Sequence, residues 1–198
     1  MSWKPVHDFE SLVSTWFGAR YGIAVDSCTH AIELCLRHRD VKKLSIPKRT
    51  YLSIPFLSNK LSIPLEWKDE NWKDYYEISN SGIYDAAVLW KENSYISNSL
   101  MCLSFQFQKH LSLGRGGMIL TDNKEDAHTL CRMAYDGRIP NVPWKEQYMD
   151  IQTIGYHYYM TPETAQLGIK KFNDAIYTTP KQWVIEDWPD LSKMEIFK

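Results

Sequence analysis

Little in this chain marks a metal site, a membrane span or a secreted fold. Its four cysteines, Cys28, Cys35, Cys102 and Cys131, stand far apart with no C-x-x-C pair. Neither a disulfide framework nor a zinc ribbon follows from them, and the expectation is reduced, mostly buried thiols in a cytoplasmic protein. The six histidines contain no H-E-x-x-H spacing, so no metal site is expected. No apolar run approaches the ~20 residues that cross a bilayer. The opening Met1-Ser2-Trp3-Lys4-Pro5 has no apolar signal-peptide core. A net charge of -1 gives no electrostatic case for nucleic acid or an anionic membrane. The single Arg115-Gly116-Gly117 is a poor basis for RNA binding. There is no internal repeat and no low-complexity segment.

What is present is apolar and aromatic. Hydrophobic residues make up 44% of the 198, enough for a core of one domain or a tight pair. Aromatics reach 14%, with eight Trp and twelve Tyr, more than a core of this size needs, so some rings are expected at an interface or a ligand.

The apolar spacing predicts a helix from Asp8 to Phe17, a strand from Ile23 to Val25, and a helix from His30 to Arg39. Short strands follow at Leu44–Ile46, Leu61–Trp67 and Tyr84–Leu89. Between the last two, Lys68–Asn80 reads as a surface connection with a short helix. Strands at Leu100–Phe105 and Gly117–Thr121 flank a loop. Asp122-Asn123-Lys124-Glu125 reads as a capping box that opens a helix to about Tyr135. Arg138–Gln152 reads as a loop, and Thr161-Pro162-Glu163 opens another helix with proline at its first position. Alternating strands and helices predict an α/β layer fold with a mostly parallel central sheet, whose ligands gather at the carboxyl ends of the strands.

Three features could meet at that edge. Lys109 lies between two buried strands, where burial would disfavour its charge and free an amine for Schiff-base chemistry; alternatively, it is a solvated loop lysine. Ser27, Cys28 and Thr29 stand between a strand and a helix, where free N–H groups suit a phosphate; an ordinary helix cap is the alternative. Asp85 lies in a strand, where a lone buried carboxylate is costly unless paired; otherwise it opens a turn.

Five stretches, in order across roughly residues 8 to 172, resemble the DegT/StrS-type sugar aminotransferases. They are Ser27-Cys28-Thr29-His30-Ala31-Ile32, Pro47-Lys48-Arg49-Thr50-Tyr51, Tyr84-Asp85-Ala86-Ala87, Ser104 to Gly117 with Lys109 at its centre, and Gly155 to Met160 followed by Ala165-Gln166-Leu167-Gly168. The resemblance implies an aspartate-aminotransferase-like (fold type I) large domain and pyridoxal 5'-phosphate as cofactor. It implies that Lys109 is the Schiff-base lysine, that Asp85 pairs with the ring nitrogen, and that Tyr51 stacks on the ring. Ser27, Cys28, Thr29 and Ser104 would hold the phosphate. The implied reaction passes an amino group from glutamate to a keto sugar nucleotide within a homodimer that shares its active sites.

The chain departs from the family pattern at several places. Cys28 replaces a glycine, Val88 stands where a Gln or His is common, and His157 and Tyr159 replace an Asn and an Arg. His157 is then the candidate for the cofactor phosphate of a neighbouring subunit. The segment between Tyr51 and Asp85 is short. Residues 1–172 read as a reduced cofactor-binding domain, and 173–198 as an aperiodic extension in place of a small domain, packed as an arm on the body or on a partner. The alternatives are a non-catalytic scaffold or nucleotide-sugar binding module, and a different reaction of the same cofactor.

Overall fold

The computed structural model describes residues 2–198. Helix α1 (Lys4–Phe17) leads through Gly18 into strand β1 (Tyr21–Val25). Gly18 has φ +81°, and its N–H closes the helix onto Thr15 O at 3.1 Å. Helix α2 (Cys28–His38) follows, then β2 (Leu44–Pro47), α3 (Phe56–Leu61), β3 (Leu65–Lys68), β4 (Tyr76–Ile78) and β5 (Ile83–Asp85). Strands β6 (Leu100–Ser104) and β7 (Gly117–Thr121) precede α4 (Lys124–Ala134), a short α5 (Trp144–Gln147) and α6 (Pro162–Tyr177). Three 3₁₀ turns lie within residues 185–197.

The main sheet has the order β1-β7-β6-β5-β4. Its strands alternate two apolar faces, as a sheet covered on both sides requires. Ile23, Val25, Cys102 and Ile119 face one cluster with Ala31, Ile32 and Cys35 of α2 and Leu130 and Met133 of α4. Ala24, Met101, Leu103, Met118 and Leu120 face a second cluster, with Phe9, Val13 and Phe17 of α1 and Ala165 and Phe172 of α6. The result is a three-layer α/β/α body. Phe9 and Phe17 are fully buried, each worth about 1.5–3 kcal/mol of apolar transfer.

The expected predominance of parallel pairing is corrected here. Only β5 and β6 pair in parallel in this sheet; β1–β7, β7–β6 and β5–β4 are antiparallel. The cause is in the connections. Residues 105–116 join β6 to β7 without a crossover helix, and residues 79–82 join β4 to β5 as a tight hairpin with Ser79, Asn80 and Gly82 at positive φ. A separate two-stranded sheet, β2–β3, is parallel.

Other expectations shift locally. The segment Lys68–Asn80 holds no helix; it supplies β4, whose Tyr76 and Ile78 are buried. The strand expected at Leu61–Trp67 is the end of α3 followed by β3, and the strand expected at Tyr84–Leu89 ends at Asp85. The strand–turn–helix at β1 and α2, the β6 and β7 pair and the helix after Thr161 stand as expected, with α6 continuing past Asn173 to Tyr177. Asn123 caps α4 by accepting from Glu125 N and Asp126 N. The aperiodic C-terminal residues lie against the body: Leu191 N donates to Lys48 O at 2.9 Å, and Arg49 Nη1 donates to Trp188 O at 2.6 Å.

Candidate active site

Strands β1, β5 and β6 run in the same direction, with β7 between two of them and opposed. Their carboxyl ends therefore open at one edge of the sheet. A cavity of about 280 Å³ lies there, and Ser27, Cys28, Thr29, Tyr51, Asp85, Ser104 and Lys109 all line it. Seven of the eight residues expected at the site are thus brought together. His157 is the exception. It does not line the cavity; its ring pairs with Asp136 at 3.2 Å, and its side chain is 70% exposed.

Asp85 forms the floor. It is 5% exposed. The phenol of Tyr76 donates to Oδ2 at 2.7 Å, Ala87 N donates to Oδ1 at 3.0 Å, and Thr50 Oγ1 lies 2.6 Å from the same phenol. Burial raises the carboxyl pKa, while Tyr76, Ala87 and the Lys109 charge pull it back. No cation forms an ion pair with Asp85 among the described residues. A buried carboxylate with room for a cationic partner is what a protonated ring nitrogen needs.

Lys109 sits on the loop between β6 and β7. Its backbone N–H donates to Gln106 O at 2.8 Å, Phe105 N to Gly116 O at 2.9 Å and Phe107 N to Gly114 O at 3.1 Å, so hydrogen bonds fix the loop at both ends. Gly114 and Gly116, with φ of +81° and +156°, make that fold-back possible. Burial lowers the pKa of the ammonium, with Asp85 and Cys28 opposing. Lys109 Nζ lies 4.7 Å from the Trp183 ring centre and 5.5 Å from that of Trp188.

The turn before α2 is held open by a glycine in another strand. A Cβ on Gly117 would lie 2.4 Å from Ser27 C and 2.5 Å from Cys28 N. Ser27 accepts from His30 N through its side chain and from Ala31 N through its carbonyl. The N–H groups of Cys28 and Thr29 are left without a protein acceptor among the described residues. Two free N–H groups at the positive end of an 11-residue helix, inside a cavity, suit a phosphate. Thr29 Oγ1 is held 2.6 Å from Ser53 Oγ. Burial pushes the Cys28 thiol well up, so it stands there as a neutral group.

Several lining residues escaped the sequence reading. Tyr76 falls in the stretch that reads as a surface connection, although its alternation with Ile78 is a strand signal. Arg115 reaches the rim through Asp26, donating to Oδ2 at 2.7 Å. Trp183 and Trp188 lie in the aperiodic tail, where no pattern assigns them a place.

The family model of the DegT/DnrJ/EryC1/StrS aminotransferases matches residues 2–54 and 95–179. The chain belongs to that family. The unmatched stretch, 55–94, holds Tyr76 and Asp85. An uncharacterized protein of Methanocaldococcus jannaschii is 24% identical over 84% of this chain and 56% of its own length. The sugar aminotransferase of Micromonospora echinospora superposes with a TM-score of 0.73 at 10% identity, covering 87% of this chain and 61% of that one. A 3-amino-5-hydroxybenzoic acid synthase gives 0.70 at 18% identity, covering 86% and 56%. The fold is accordingly that of the fold type I aminotransferases. This chain spans little more than half the length of these relatives. The family's cofactor is pyridoxal 5'-phosphate, and the residues present fit it: a half-buried amine, a buried unpaired carboxylate and two free N–H groups on one cavity.

Proposed function

We propose that the chain binds pyridoxal 5'-phosphate in this cavity and transfers an amino group, with glutamate as donor and a keto sugar carried on a nucleotide as acceptor. The observation that carries the reading is the convergence of Lys109, Asp85 and the free N–H groups of α2. The bound cofactor would supply an electron sink for the carbon that loses its proton. Asp85 would hold the ring nitrogen protonated, and Tyr51 would cover one ring face. Cys28 N, Thr29 N and the Ser27, Thr29 and Ser104 hydroxyls would orient the phosphate. Lys109 Nζ would form the Schiff base and then move the substrate α-proton, a role its burial-lowered pKa suits.

In this reading the protein is a homodimer, and His157, exposed on its own chain, reaches the phosphate in the partner's cavity. Residues 173–198 serve as an extension to a cofactor-binding body of residues 1–172. The cytoplasm is its compartment, in keeping with four unpaired thiols; no helix among the described residues is long and apolar enough to cross a membrane. The indoles over Lys109 favour a second reading, a non-catalytic module that binds nucleotide sugars. The visible spectrum with and without pyridoxal phosphate separates the two. The first requires a yellow protein that borohydride bleaches while fixing the cofactor covalently at Lys109, an attachment that Lys109→Ala lacks; a colourless wild-type protein removes it.

A further inference from the structure

The groups placed above to meet the cofactor phosphate are all neutral: Cys28 N, Thr29 N and the Ser27, Thr29 and Ser104 hydroxyls. A phosphate monoester carries about −1.5 to −2 charges at pH 7. His157 does not line the cavity of its own chain. Among the described residues that do, the cations are Lys109 and Arg115. Lys109 is committed to the aldehyde, so Arg115 is the cation left to answer the phosphate charge.

Arg115 stands beside the turn that would hold that phosphate. It precedes by two residues Gly117, which lies against the backbone of Ser27 and Cys28. Its Nε donates to Asp26 O at 3.2 Å and its Nη2 to Asp26 Oδ2 at 2.7 Å, so the guanidinium grips the residue immediately before Ser27. Nη1 has no protein acceptor among the described residues, and the side chain is 69% exposed, so a second anion can reach it. A planar guanidinium carries enough donors to hold a carboxylate and a phosphate together. Asp26 also takes His30 Nδ1 at 2.5 Å and the Ser27 hydroxyl at 3.3 Å. Left alone, its carboxylate would repel a phosphate bound at the next residues, and the guanidinium offsets that charge.

We propose that Arg115 is a further cofactor-binding residue, whose free Nη1 donates to the phosphate of pyridoxal 5'-phosphate while Nε and Nη2 keep their hold on Asp26. The inference rests on the reading of the cavity as a pyridoxal phosphate site and deepens it. Arg115 then supplies within one chain the positive charge that the neutral turn lacks. Its bond to Asp26 fixes where the guanidinium stands before the ligand arrives.

Borohydride trapping on the full chain tests this. Hydride goes to the carbon of the C=N bond at Lys109 and a solvent proton to its nitrogen, so each adduct is fixed and counted by peptide mass spectrometry. Below saturation, the slope of trapped Lys109 against aldehyde concentration is read for pyridoxal 5'-phosphate and for pyridoxal, which lacks the phosphate. In Arg115→Gln the pyridoxal 5'-phosphate slope is expected to fall about tenfold or more, and the pyridoxal slope to stay within about threefold of the wild type, as the loss of one charge-assisted contact to the phosphate requires. Asp26→Asn keeps an acceptor for the guanidinium and removes a negative charge, so its pyridoxal 5'-phosphate slope is expected to equal or exceed the wild type. Circular dichroism checks the fold, and Arg115→Leu serves if Arg115→Gln is not folded. An unchanged slope in the folded Arg115 variant, or an equal fall for both aldehydes, overturns the proposal. So does a fall in Asp26→Asn that matches Arg115→Gln, since Arg115 would then only brace the turn. If pyridoxal 5'-phosphate leaves Lys109 of the wild type unlabelled, the cofactor reading itself fails and this proposal with it.

Discussion

The phenol of Tyr76 donates to Asp85 Oδ2 at 2.7 Å and is itself braced by Thr50 Oγ1 at 2.6 Å. The pairing places a strand-edge tyrosine directly opposite a strand-end aspartate, since Tyr76 and Asp85 are register partners in β4 and β5. Hydrogen bonds to a buried carboxylate contribute about 1.5–3 kcal/mol. Tyr76→Phe is therefore expected to lower unfolding stability by roughly that amount in urea titration. An unchanged midpoint would show that the hydrogen bond carries no net stabilisation.

Asp85 and Lys109, which both line the cavity, respond to pH in opposite senses. Burial holds the folded-state pKa of Lys109 below its ordinary 10.5, so the unfolded chain binds more protons in the window beneath that value. Stability should rise with pH through that window and should do so less in Lys109→Met. Asp85 is raised above 3.8, so the folded chain binds more protons just above that value, and stability should fall as pH rises there. The acid-side fall should be smaller in Asp85→Asn. Urea midpoints for the three proteins across the pH range test both signs.

Gly117 has no room for a side chain, because the backbone of Ser27 and Cys28 occupies the place of its Cβ. Gly117→Ala should cost about 1–3 kcal/mol as overpacking. It should also push the N–H groups of Cys28 and Thr29 out of line, weakening pyridoxal phosphate binding in absorbance titration. A variant with wild-type stability and affinity would mean that the turn yields freely.

Arg49 ties the C-terminal segment to the body through Trp188 O. Arg49→Ala should free that segment without unfolding the sheet. The expected signs are a red-shifted tryptophan emission and faster proteolytic cleavage after residue 178, with a global stability loss of about 0.5–3 kcal/mol. Protection equal to the wild type would assign the docking to the apolar contacts alone.

How far the sequence led depended on how local each signal was. Ser27-Cys28-Thr29 and the Lys109 loop were legible because a helix start and a glycine-rich return are written in adjacent residues. Strand direction was not, because it is set by the connection: a chain that turns back through residues 105–116 without a helix must pair antiparallel. Tyr76 is not legible in its own stretch, because the groups its phenol meets, Asp85 on the neighbouring strand and Thr50, are brought to it by tertiary pairing. Trp183 and Trp188 have no period to read, and their place follows only from where Arg49 and Lys48 hold the backbone. His157 falls at the cofactor by position in a motif alone, whereas within its own chain its ring is claimed by Asp136.

The antiparallel partnership of β7 has a consequence for the order in which the site is assembled. Its pairing with β6 closes a short loop, whereas its pairing with β1 joins Val25 to Gly117 across nearly half the chain. Closing the longer loop costs more chain entropy and is the slower step. A folding chain is therefore expected to gain the β6–β7 hairpin before the turn at Ser27–Thr29 docks beside it. Until then, Lys109 lacks the burial that lowers its pKa in the folded chain and stands as an ordinary solvated amine.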